Sequence, residues 1–154
     1  MALEYDIYIY TEIESDILIT EALKSCYLNT IKKNDENIIY LWDRIGFNII
    51  IPKSFHTTYE IKGVSYSFNK FITVLFNKFF EDRSTREKAV FIILKYIIQR
   101  PEVHNILFVF NGETIILLKD KNGLILNNIS GFITDEVLEI FSGINYKKED
   151  FDVI

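Results

Sequence analysis

Residues 3–10 alternate, with Leu3, Tyr5, Ile7 and Ile9 against Glu4, Asp6, Tyr8 and Tyr10. A period of two over that length predicts a half-buried strand. Thr11-Glu12-Ile13-Glu14 and then Ser15-Asp16 supply an N-cap and first-turn acids for a helix. Ile19, Ala22, Leu23, Cys26 and Tyr27 follow the i, i+3, i+4, i+7, i+8 spacing, so a one-faced helix is expected over about 15–29. Residues 32–37 read as a polar turn, and strands follow at about 37–42 and 47–51, joined by Asp43-Arg44-Ile45-Gly46. Pro52 ends the second of these or sets it at an edge.

Over 53–70 the pattern is weaker. Tyr59 and Ile61 alternate with Glu60 and Lys62, and Val64, Tyr66 and Phe68 with Ser65, Ser67 and Asn69; Gly63 between them is a turn or a bulge. The run 71–76 is nearly continuous in apolar residues, which predicts a central strand covered on both faces. Ser84-Thr85-Arg86-Glu87 is a capping box opening a helix over about 85–99, stopped by Pro101, with apolar residues on more than one face. Asn111-Gly112 between two β-branched apolar runs signals a hairpin, and Asn122-Gly123 a second, so 106–126 reads as a three-stranded meander. Thr134-Asp135-Glu136 caps a short helix through Phe141, which Gly143 stops. Hairpins dominate and no regular βαβ alternation appears. The expected fold class is α+β: a mostly antiparallel sheet of about six to eight strands, two main helices packed on one face, and a short C-terminal helix. Residues 1–154 form one domain, with the charged tail 147–154 expected to be partly frayed.

Composition narrows the possibilities. The chain has 154 residues, 49% hydrophobic and 25% charged, with 6 Gly and 2 Pro, which excludes collagen-like and low-complexity classes. One Cys excludes a disulfide scaffold and a Cys-based zinc site, and two His are too few for most imidazole clusters, so no metal is expected. A net charge of −5 disfavours nucleic acid and suits a basic partner. No apolar run approaches the roughly 20 residues of a membrane span, and Glu4 and Asp6 stand where a secretory signal carries cations. A cytoplasmic location without membrane attachment is therefore expected.

Few side chains suggest catalysis. His56 and His104 lack a second imidazole at helical spacing, and both read as loop histidines rather than general bases. Cys26 lies on the apolar stripe of the first helix and reads as core. No G-x-S-x-G, Walker-type or G-x-G-x-x-G motif is present. Glu12, Glu14 and Asp16 cluster at one helix start, where they complement the dipole or form a binding patch. Glu149, Asp150 and Asp152 form a second acidic group. Trp42 is either a core cap or a contact anchor, with Asp43 and Arg44 closing the turn beside it as a local ion pair.

Three segments together resemble a known family. They are Leu3-Glu4-Tyr5-Asp6-Ile7; Trp42-Asp43-Arg44-Ile45-Gly46-Phe47; and Val74-Leu75-Phe76-Asn77-Lys78 followed by a capped helix and Phe108-Val109-Phe110-Asn111-Gly112-Glu113. Over about residues 3–128 the arrangement resembles the third class of Sit-type (swarming-inhibition toxin) immunity proteins, found beside bacterial polymorphic toxins. The chain departs from the family at Asn77, where Asp is usual, and at Ile45, where Tyr is common. The resemblance implies a non-enzymatic protein that binds a cognate toxin domain in the cytoplasm and blocks its active site or substrate access, with no catalytic residues and no cofactor.

The toxin-binding candidates are Glu12, Glu14 and Asp16, then Glu149, Asp150 and Asp152, with Tyr8, Tyr10 and Tyr59 as aromatic anchors. Tyr8 and Tyr10 share the strand face opposite Ile7 and Ile9, and could equally lie under a helix. The expected state is a monomer or weak homodimer. Two alternatives stand beside this reading: a self-associating structural or adaptor domain pairing through an uncovered sheet edge, and a small hydrolase or transferase whose site is assembled from scattered Tyr, Glu and His.

Overall fold

A computed structural model describes residues 3–25, 31–34, 38–41, 47–52, 54–76 and 83–154. The chain opens with β1 (Leu3–Thr11), α1 (Ser15–Ser25), β2 (Ile31–Asn34), β3 (Ile38–Leu41) and β4 (Phe47–Ile50). It continues through β5 (Thr57–Ile61), β6 (Val64–Phe68), β7 (Lys70–Phe76) and α2 (Arg83–Ile98). It closes with β8 (Val103–Phe110), β9 (Thr114–Asp120), β10 (Gly123–Asn127), α3 (Asp135–Ile140) and β11 (Tyr146–Glu149). The fold is α+β. Nine strands form one sheet in the order β11-β10-β9-β8-β1-β7-β4-β3-β2, and β5 and β6 form a separate hairpin. Every pairing is antiparallel except β10 with β11.

The alternation in β1 sets the two faces. Tyr5, Ile7 and Ile9 point into the principal core with Ile72, Val74 and Phe76 of β7 and Ile106 and Phe108 of β8. Helices α1, α2 and α3 cover this face through Leu18, Ile19, Leu23, Phe91, Leu94 and Val137. Helix α2 buries Ala89, Val90, Phe91, Ile93, Leu94, Ile97 and Ile98, the wide apolar arc expected of it. Each fully buried large apolar side chain contributes about 1.5–3 kcal/mol. The capping box falls on side chains at 84–86 that lie outside the described residues, whereas the Thr134 cap is seen: its Oγ1 accepts the Val137 N–H at 3.3 Å.

The opposite face is not left to solvent. The β5–β6 hairpin folds over it, and Ile61 and Phe68 join Tyr8, Leu107, Val109, Ile115, Leu118 and Phe151 in a second core. The hairpin turn is Lys62-Gly63, with φ of 51° and 78°, and Ile61 pairs with Val64 across it. Two successive left-handed residues define a type I′ turn, which matches strand twist. Gly63 is therefore a turn, not a bulge. Asn111 and Gly112 adopt the same left-handed geometry, with φ of 50° and 75°. Asn111 also ties this turn to β1: its Oδ1 accepts the Glu4 N–H at 3.0 Å and its N–H donates to the Glu4 carbonyl at 2.8 Å.

Three features depart from the sequence expectation. Residues 31–34 pair with β3 as an edge strand rather than forming a polar turn. The sheet holds nine strands, because β2 and β11 add to the expected set. The tail is not frayed over 146–151: β11 pairs in parallel with β10, and Phe151 is buried in the second core. The Phe151 ring, the β10–β11 ladder and the Phe151 backbone bonds to Asn127 together anchor a segment whose polarity suggested solvent.

Candidate functional site

The segments that carry the family resemblance converge. Leu3-Glu4-Tyr5-Asp6-Ile7 lies in β1, flanked by Val74-Leu75-Phe76 of β7 and Phe108-Val109-Phe110 of β8. The Tyr5 ring is 5.5 Å from Phe76, 5.7 Å from Phe108, 5.1 Å from Phe110 and 6.1 Å from Phe132, centroid to centroid. Such pairs add about 0.5–1.5 kcal/mol beyond area burial. These residues thus build the centre of the sheet. The remaining segment, with Trp42, Asp43 and Arg44, lies outside the described residues, as does Cys26.

On the hairpin face, Asp6 and Tyr8 of β1 form a polar seam in an otherwise apolar layer. Asp6 is 3% exposed, and its Oδ1 accepts the Thr73 hydroxyl at 2.9 Å from the neighbouring β7 position. Burial raises its carboxyl from an ordinary 3.8 to about 6; the Thr73 bond opposes this and the Glu4 charge adds to it. One turn of the pleat away, the Tyr8 hydroxyl accepts a hydrogen bond from the Tyr59 hydroxyl at 3.2 Å. Burial holds the Tyr8 phenol above its usual range. Tyr8 is only 9% exposed and touches Phe55, Tyr59, Phe68 and Phe71. It lies under the hairpin rather than under a helix, and its ring serves the second core. Removing the donor hydroxyl with Tyr59→Phe should cost about 1 kcal/mol in urea unfolding. The same substitution in a Tyr8→Phe background should cost little, which a double-mutant cycle measures.

The other candidates sit on the surface in two separate places. β1 runs from Glu4, beside Asn111, to Thr11, beside Val103. Glu12 and Glu14 are exposed at the Thr11 end, and neither carboxylate has an ion pair among the described residues; Asp16 is half-buried. Tyr10, 36% exposed, stands next to them with its ring centroid 6.1 Å from that of His104. His104 is in strand β8 rather than a loop, and His56 is exposed just before β5. Glu149, Asp150 and Asp152 are exposed at the other end of the sheet, where the Ile154 N–H donates to the Glu113 carbonyl at 3.0 Å. Tyr59 is half-buried between the two. The nine candidates therefore do not form one patch. Tyr10, Glu12 and Glu14 follow one another along the chain at the Thr11 end, where the Tyr10 ring meets His104 and the Thr11 hydroxyl donates to the Glu102 carbonyl at 3.0 Å.

Several working residues escaped the sequence reading. Asn127 is 2% exposed; its Nδ2 donates to the Ile115 carbonyl at 2.7 Å and to the Phe151 carbonyl at 3.4 Å. Its Oδ1 accepts the N–H groups of Ile129 and Phe151, each at 3.2 Å. Tyr66 donates to Asp120 Oδ2 at 3.1 Å, and burial with that bond raises the phenol. The Lys62 ammonium reaches Glu149 at 3.5 Å and sits 4.4 Å from the Phe151 ring centre. No sequence signal marked these, because each depends on contacts between segments distant along the chain. On the helix face, Glu21 of α1 accepts from Tyr96 at 2.9 Å and Arg100 at 2.8 Å, fixing α1 to α2.

Among the described residues, no group of three or more His, Cys, Asp or Glu side chains is arranged to hold a metal ion. No helix among them is long and apolar enough to cross a membrane. No protein-family model, curated protein or solved structure matches the chain.

Proposed function

We infer that this chain is a cytoplasmic, non-enzymatic immunity protein that binds a cognate polymorphic-toxin domain and blocks its active site or its access to substrate. The observation that carries the reading is the Thr11 end of β1, where the exposed Tyr10 is followed along the chain by the exposed Glu12 and Glu14, whose carboxylates have no ion pair among the described residues. An aromatic anchor rimmed by free acids fits a basic protein surface. A nuclease toxin presents such a surface where it grips polyphosphate, and an acidic inhibitor both mimics that charge and accelerates encounter by steering. The family resemblance points to the same class of partner. Two of its three motif segments run through the three central strands, away from the Thr11 end of β1 where the proposed partner sits.

The test is direct binding to an inactivated C-terminal domain of the polymorphic toxin encoded beside this gene. The expected outcome is a stoichiometric complex and protection of cells expressing the active domain. Tyr10→Ala should weaken the complex by about 2 kcal/mol or more, as truncation of an anchor does. Glu12→Lys with Glu14→Lys should slow association and reduce its salt dependence. Absence of a complex, or purified protein turning over a substrate unaided, overturns the proposal. Pairing through the edges of the main sheet gains no support: β2 carries Lys32-Lys33 and β11 carries Lys147-Lys148, and edge lysines oppose strand addition.

A further inference from the structure

Each outer strand of the nine-stranded sheet carries a lysine pair, but the two-stranded hairpin carries no such guard. Strand β5 reads Thr-Thr-Tyr-Glu-Ile and β6 reads Val-Ser-Tyr-Ser-Phe. Neither contains Lys or Pro, and both are rich in residues that favour extended backbone. The type I′ turn fixes which backbone groups face outward. Ile61 and Val64 flank a two-residue loop and exchange both hydrogen bonds, so Tyr59 pairs with Tyr66 and Thr57 with Phe68 in the same way. The N–H and C=O groups of the alternate residues, Thr58 and Glu60 on β5 and Ser65 and Ser67 on β6, therefore point away from the hairpin. All four residues are exposed, and none of these backbone groups has a backbone partner elsewhere among the described residues.

The two edges are not equivalent. β6 is laid against β1 and β8, and Tyr66 is tied to Asp120, so β5 is the outer strand. β5 also carries one formal charge, Glu60, which has no ion pair among the described residues, whereas Lys62 at the turn is held by Glu149 and Phe151. The inward side of β5 presents Tyr59 at the rim of the second core.

We propose that the outer edge of β5 is a strand-addition site that accepts an extended segment of a partner protein, with a Lys or Arg alongside Glu60 and apolar residues continuing the layer of Tyr59. Recognition is through backbone hydrogen bonds to Thr58 and Glu60, with alternate side chains giving specificity. A second copy of this chain is a poorer occupant, since it would bring another Glu60 and no cation to this edge. The site is distinct from the Tyr10 patch and stands whether or not the partner is a toxin.

The test uses the full chain and a short synthetic peptide of alternating valine and lysine. Amide exchange should show new protection at Thr58 and Glu60 when the peptide binds. Glu60→Lys should weaken binding about tenfold by placing like charges together, and Thr58→Lys should act in the same direction. Ser65→Lys on the opposite edge should leave affinity within about twofold. Thermal unfolding of each variant checks that the hairpin is intact. No protection by the peptide, protection at Ser65 and Ser67 instead, binding indifferent to both β5 lysines, or the same two amides protected without peptide in a concentration-dependent dimer each overturns the proposal.

Discussion

Asp6→Asn should stabilise this protein at pH 8 by about 2–3 kcal/mol and remove much of its pH dependence between pH 4 and 7. The folded chain holds the Asp6 proton up to about pH 6, because burial disfavours the carboxylate, while the unfolded chain releases it near 3.8. The folded state therefore binds more protons over that interval. The stability Asp6 contributes is fully present below 3.8 and is lost as pH rises through 6. At pH 8 the buried carboxylate has only the Thr73 hydroxyl to offset its desolvation, and Glu4 adds repulsion. Asparagine keeps an oxygen for Thr73 and never ionises. Urea unfolding across a pH series should show the wild-type and variant curves converging at acid pH and diverging above pH 6. Parallel curves would mean that water or rearrangement relieves the buried charge.

Replacing Asn127 should be the most damaging single polar change, costing about 3–5 kcal/mol for Asn127→Leu. One side chain serves four backbone groups: it donates to the carbonyls of Ile115 and Phe151 and accepts from the N–H groups of Ile129 and Phe151. Leucine fills a similar volume but leaves those groups unsatisfied in a buried setting. The loss should be local before it is global. Freed of Asn127, the Phe151 backbone releases the tail, and amide protection over 146–151 should fall at denaturant concentrations where the centre of the sheet remains protected. Phe151→Ala should reproduce the local opening through lost packing, and its effect should be less than additive with Asn127→Leu, since both act on the same anchor. An Asn127→Leu variant as stable as wild type would show that the tail is held by the β10–β11 ladder alone.

Much of the fold was legible because its strongest signals are local. The alternation of residues 3–10, the continuous apolar run at 71–76 and the Asn111-Gly112 turn each specify their element from a short window. The structure pairs β1 with β7 and sets the turn, which joins β8 to β9, against Glu4 near the start of β1. Gly63 read as a turn or a bulge, and neither that choice nor what the hairpin covers was legible. Tyr8 and Tyr10 occupy the same strand face, yet one is buried and the other exposed. The hairpin reaches over Tyr8 and stops short of Tyr10, and nothing within β1 encodes how far a neighbour extends.

The candidate surface was less legible for the same reason. Glu12, Glu14 and Asp16 stay neighbours because they are close along the chain, but Glu12 and Glu14 are exposed while Asp16 is half-buried. How Glu149, Asp150 and Asp152 lie relative to them was not legible: sheet order puts the two acidic groups at opposite ends. By itself the sequence determined the α+β class, the apolar stripe of β1 and the two Asn-Gly turns, all consequences of periodicity and of backbone conformations open chiefly to Gly and Asn. Only the tertiary structure decided that the tail is anchored, that Asp6 is buried as an acid, and that the hairpin leaves an unguarded edge. Burial and hydrogen-bond partnership are properties of pairs of distant segments, and no single stretch of chain carries them.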